Sequence, residues 1–155
     1  MEKETKTKYE ELAKKYKLPS FDSLNNEFEI STIEEKDFLL REIRRKISER
    51  IENYIKLLEG VLHPAESALC DMYECGIFLE EEKNQIFVLY KNLMFFDRFS
   101  VETSIGEDDK KNSDFIKEFW SQWENIKKEL LPIFKNMKES WLKELKVKTE
   151  LGYLG

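Results

Sequence analysis

The chain has 155 residues and a net charge of −6, and is 41% hydrophobic, 13% aromatic and 37% charged. That is one domain by length with enough apolar surface for a core, which excludes wholesale disorder. The acidic balance argues against a nucleic-acid binder working through a basic face, and no apolar run reaches the length of a membrane span. Only 5 Gly and 3 Pro point to long helices with short connections. Lys and Glu are abundant and Gln nearly absent, a bias shared with proteins of hyperthermophiles. The charged start MEKETKTKYEEL lacks the apolar region of a signal peptide, so a cytoplasmic protein is expected. Two cysteines are too few for a disulfide framework.

In residues 3–17, Tyr9, Leu12, Ala13 and Tyr16 recur at helical spacing and predict a short amphipathic helix that ends at Leu18-Pro19-Ser20. Phe21, Leu24, Phe28 and Ile30 predict one helical turn and then an extended strap pinned by its aromatics; the alternative is an arm docking on a neighbouring subunit. Ser31 with Glu34, or Thr32 with Glu35, has capping-box spacing, so a long helix is expected over 32–62. Its seam of Ile33, Leu40, Ile47, Tyr54 and Val61 steps by heptads, as in helical bundles. Arg44 falls inside that apolar arc. Pro64 suits a first helical position and Gly76 a C-terminal cap, which predicts a short helix over 64–75.

The densest apolar passage, 80–104, begins with three glutamates where a helix dipole favours them. Ile86, Leu89, Tyr90 and Leu93 cover one sector, Phe87, Met94 and Val101 a second, and Val88, Phe95, Phe96 and Phe99 the far side. Only Asn84, Lys91, Arg98 and Glu102 form a polar stripe, so this helix is expected to be buried almost all round. Gln85, Asn92 and Asp97 lie off the stripe and would need polar partners. Arg44 is the natural partner for Asp97, with Arg50 second. Residues 105–112 predict a mobile polar loop. The final helix, 113–146, carries Phe115, Phe119, Trp123, Ile126, Leu130, Ile133, Met137 and Trp141 on one face, and Pro132 is expected to kink it.

These elements predict a single all-α domain, a mostly antiparallel bundle of about five helices. The N-terminal helix and strap (1–31) would wrap outside the bundle (32–146), and the tail (147–155) would fray.

Chemistry has little to attach to. His63, Glu66, Cys70, Asp71, Glu74 and Cys75 crowd one short helix, but the cysteines are five apart and would point away from each other, and the chain has one histidine. No metal and no cofactor is expected. Arg41 and Arg45 share a face as an anion-binding edge, which Asp37 and Glu42 would neutralise at helical spacing. Phe119, Trp120 and Trp123 are core residues or part of an interface. The expected function is a non-enzymatic protein-interaction module binding a protein partner or a second copy. The alternative is a helical enzyme or small-ligand binder with a pocket near Asp97 and Arg44, with Asn92 and Gln85 completing the site.

Overall fold

In a computed structural model, which describes residues 2–143, the protein is all-α. Its helices are α1 (Glu2–Tyr16), α2 (Phe21–Phe28), α3 (Leu39–Leu62), α4 (Leu69–Gly76), α5 (Glu80–Thr103) and α6 (Asp109–Ser140). Among the described residues there is no strand, and no helix is long and apolar enough to cross a membrane. The expected frayed tail, 147–155, lies outside the described residues.

Several helix ends differ from the sequence expectation, each for a local reason. The segment after α1 is two turns of helix, not one turn and a strap. Ser20 caps α2 by accepting the Ser23 N–H at 3.2 Å, and Glu29 ends it in the left-handed region (φ 52°), its N–H bonded to Asn25 O. The helix expected from residue 32 begins at Leu39. The groups that would build its capping box are used elsewhere: Ser31 donates its N–H to Asn25 Oδ1 at 2.8 Å, and the Thr32 hydroxyl donates to Glu29 O at 2.7 Å. Two 3-10 turns, Ile30–Thr32 and Lys36–Phe38, fill the interval.

Pro64 does not open a helix, since α4 starts only at Leu69. Gly76 is the last residue of α4, not a left-handed cap. That place is taken by Ile77 in the right-handed region, with its N–H on Glu74 O. Helix α6 starts four residues before expected because Asp108 Oδ1 accepts the Lys111 N–H at 2.8 Å.

The helices build two compact units. The first takes the chain up to Glu52 together with Phe95–Trp123, the second Asn53–Met94 and the chain from Glu124 on. Helices α3, α5 and α6 therefore each contribute a segment to both. In the first unit Leu40, Ile43 and Ile47 of α3 are buried with Phe96, Phe115, Phe119 and Trp123. Their rings interlock: Phe96 stands edge-on to Phe119 at 5.5 Å, and Phe28 reaches Phe119 at 5.8 Å and Trp123 at 5.5 Å. Arg50 stacks over Phe28 and donates to Glu27 O at 2.6 Å, so it serves the α2 terminus and not Asp97.

In the second unit Leu58, Val61, Tyr73, Leu89, Leu93, Ile126 and Leu130 are buried. Tyr73 ties α4 to the end of α6 by donating to Ser140 O at 2.7 Å, and Trp141 Nε1 donates to Glu74 at 3.0 Å. Gly60 allows a close approach here, because a Cβ on it would lie 2.7 Å from Asp71 Oδ1.

Helix α1 is fastened to the first unit by Tyr9, which is fully buried against Phe21 and donates its hydroxyl to Pro19 O at 2.6 Å. Burial raises the Tyr9 phenol well above its ordinary range, because the phenolate would be desolvated. A raised folded-state value means that stability is full below the unfolded tyrosine pKa of about 10 and is lost as pH rises past it. Tyr9→Phe is expected to cost about 1 kcal/mol at neutral pH, in urea melts. It should also flatten the loss seen between about pH 9 and pH 11 relative to the native chain. Parallel pH curves for the two proteins would show that Tyr9 does not carry the alkaline sensitivity.

Candidate functional site

Arg44 is the one arginine in the apolar arc of α3, and in the first unit it is 5% exposed. Its Nε donates to Asn112 Oδ1 at 2.8 Å, and Nη1 donates to the Ser100 carbonyl at 3.1 Å and hydroxyl at 2.7 Å. Nη2 meets Glu107 Oε2 at 3.0 Å. Ser48 adds its own hydroxyl to Ser100 Oγ at 2.6 Å. The guanidinium thus ties α3 to the last turn of α5 and to the first turn of α6. The chain can bring Glu107 there because Gly106 takes a left-handed turn (φ 61°).

The expected Arg44–Asp97 pair does not form. Asp97 is only 14% exposed in its side chain, but its carboxylate is engaged by the neighbouring Arg98, and Arg44 is bonded to other groups. Asn92 is half-buried, and Gln85 is exposed, so Gln85 needs no buried partner. Both belong to the second unit, whereas Arg44 and Asp97 belong to the first. A shallow polar cleft of about 260 Å³ does lie against Arg44, lined also by Arg45, Ser48, Glu49 and Ser100, without Asp97. The neighbouring basic edge is neutralised by Glu42, which meets Arg41 at 2.9 Å and Arg45 at 3.2 Å. Asp37 turns instead to Lys8, at 3.7 Å.

Helix α5 is not buried almost all round. Its buried residues Ile86, Leu89, Leu93, Phe96, Ser100 and Thr103 follow one helical arc. The other apolar sectors are not covered: Phe87 is 50% and Val88 67% exposed in the second unit, and Phe95 and Val101 are exposed in the first. Within the second unit, Val88 forms one edge of a groove of about 430 Å³. Phe78, Ile86, Leu89 and Ile133 make its apolar walls, and Glu82, Gln85, Glu129 and Asn136 its polar margin. Pro132 of α6 also lines it. Sequence periodicity singles out Gln85 as a buried polar residue; the structure puts it on the margin of an open groove. Phe78 lies between α4 and α5, outside both helical patterns, and only the packing of α5 and α6 makes it a groove wall.

Among the described residues no three His, Cys, Asp or Glu side chains converge as a metal site requires. Cys70 is exposed and Cys75 half-buried, both as free thiols, and Asp71 accepts the Ala65 N–H. Compared with protein-family models, curated proteins and solved structures, the chain matches none.

Arg44 therefore acts as a clamp whose donors are already engaged within the fold. Arg44→Met is expected to cost about 3 kcal/mol in urea unfolding, since Asn112, Ser100 and Glu107 lose their donor together. Arg44→Lys keeps the charge but not the fork and should recover less than half of that. A loss below about 1 kcal/mol for Arg44→Met would show that Arg44 does not clamp these segments.

Proposed function

We propose that the protein is a non-catalytic interaction module that takes up an apolar segment of another polypeptide on its second unit. The observation that carries this reading is the uncovered surface of α5 in the second unit: Phe87 and Val88 stand in water, and Val88 is at the edge of a groove walled by Phe78, Ile86, Leu89 and Ile133. Single exposed apolar side chains are ordinary on any protein surface. Val88 is different in being continuous with a concave apolar wall, and contiguous apolar surface with a polar margin is what interaction sites present. An enzymatic reading centred on Arg44 has less support, because the guanidinium is engaged by Asn112, Ser100 and Glu107.

The test is capture with a matched control. The native chain and a Phe87→Ser/Val88→Ser variant are immobilised, exposed to an extract of the source cells, and compared by quantitative mass spectrometry. Both positions are exposed, so the variant should melt within about 0.5 kcal/mol of the native chain. A protein held by the native chain and lost at least tenfold by the variant is the expected result. Equal recoveries from the two proteins would refute the reading.

A further inference from the structure

We infer that the groove of the second unit is built for a basic amphipathic helix. This deepens the interaction reading given above and rests on it. The inference comes from the charges on the margin of a groove with apolar walls. Among the described residues, the ionisable side chains that line the groove are both carboxylates: Glu82 on the α5 wall and Glu129 on the α6 wall. In the first turn of α5, Glu81 precedes Glu82, whereas Glu80 is paired with Lys83 at 3.8 Å. Glu82 uses one oxygen to accept the Leu79 N–H at 2.9 Å, which fixes it in place. Glu129 is exposed on its helix.

The walls and the margin ask for different things. Phe78, Ile86, Leu89 and Ile133 favour apolar side chains, and a volume of about 430 Å³ accommodates a few of them. A helix laid into a groove supplies such anchors at i, i+3, i+4 and i+7 from one face. A carboxylate on each wall then favours Lys or Arg at the flanks of that face, where complementary charge raises the association rate and sets the choice of partner. Gln85 and Asn136 can exchange hydrogen bonds with polar residues at the same margin.

A second copy of this chain is a poorer occupant. An isologous contact through the groove would bring the same acidic margin to both sides of the interface. Like charges in such a contact oppose it.

The experiment uses the full chain and two fluorescein-labelled helical peptides of about 16 residues, a length near the marginal limit for isolated helices. One has leucine at i, i+3, i+4 and i+7 and lysine on the flanks; its twin has glutamate in place of lysine. Fluorescence anisotropy at low salt is expected to show the lysine peptide binding at least tenfold tighter. That preference should shrink as salt is raised. Glu129→Lys should reduce the preference by several-fold. Val88→Asp makes the margin more acidic, so it would strengthen attraction that is merely electrostatic. Here it should weaken the lysine peptide at least tenfold, because it puts a charge on an apolar edge.

Equal binding of the two peptides, no binding of either, or a lysine peptide that binds Val88→Asp as well as the native chain would each overturn the inference. So would a concentration-dependent dimer in light scattering that Val88→Asp dissolves, which would give the groove to a second copy. If the peptides fail while the Phe87→Ser/Val88→Ser variant still loses a captured protein, the basic-helix inference falls and the interaction module stands.

Discussion

A guanidinium withdrawn from water must have its donors answered in place, and in the first unit that requirement falls on Arg44. The groups that answer it, Ser100, Glu107 and Asn112, lie within a short stretch that contains the end of α5, the turn and the start of α6. The turn is therefore not free to take any shape. Gly106 must go left-handed for Glu107 to arrive, and Asp108 must cap α6 directly afterwards. The aromatic cluster of Phe96, Phe115 and Phe119 then falls on the two helix segments that this turn joins. Apolar area drives that cluster together, while the buried charge is bonded by groups on both sides of the connection.

The sequence makes Arg44 visible as an anomaly but not its partners. An arginine between Leu40 and Ile47 at heptad spacing is out of place on any helical wheel. Its partner by the same wheel is Asp97, the acid that lies off the polar stripe of the next long helix. Glu107 escapes that reasoning because it sits in a polar stretch with no periodicity. Only the turn, whose geometry is three-dimensional, brings it to α3. Asp97 in turn is held by Arg98, its immediate neighbour, a pairing that helical spacing rules do not anticipate. The helical character of α1, α3, α4, α5 and α6 is legible in the apolar periodicity, whereas α2 is not, its residues reading as one turn and a strap. Starts and stops are not legible either, since Glu29 adopts a left-handed conformation and Asn25 competes for the backbone of Ser31.

Helix α5 shows a different limit. Composition reveals that a face is apolar, not that anything covers it. Leu89 and Val88 look alike in a list of hydrophobic residues, and one is buried while the other stands largely in water. In the second unit Phe87 and Val88 of α5 stay exposed, and a groove lies between α5 and α6. The residues that give it chemical character, Glu82 and Glu129, belong to helix surfaces that read as ordinary solvated charge. Their significance depends on which side of the cavity each one stands.

The division of the chain into two units also bears on how the protein is made. Neither unit is one continuous stretch: the first joins its opening 52 residues to Phe95–Trp123, and the second begins before the first is complete. On a ribosome, α1, α2 and the first half of α3 emerge long before Phe115, Phe119 and Asn112 exist to meet them. Arg44 and the apolar side chains around it must wait in water or in a chaperone's care until α6 has left the exit tunnel. Neither unit can be completed from the first 94 residues alone. The first needs the chain up to Trp123 and the second the chain from Glu124 on, so both depend on α6.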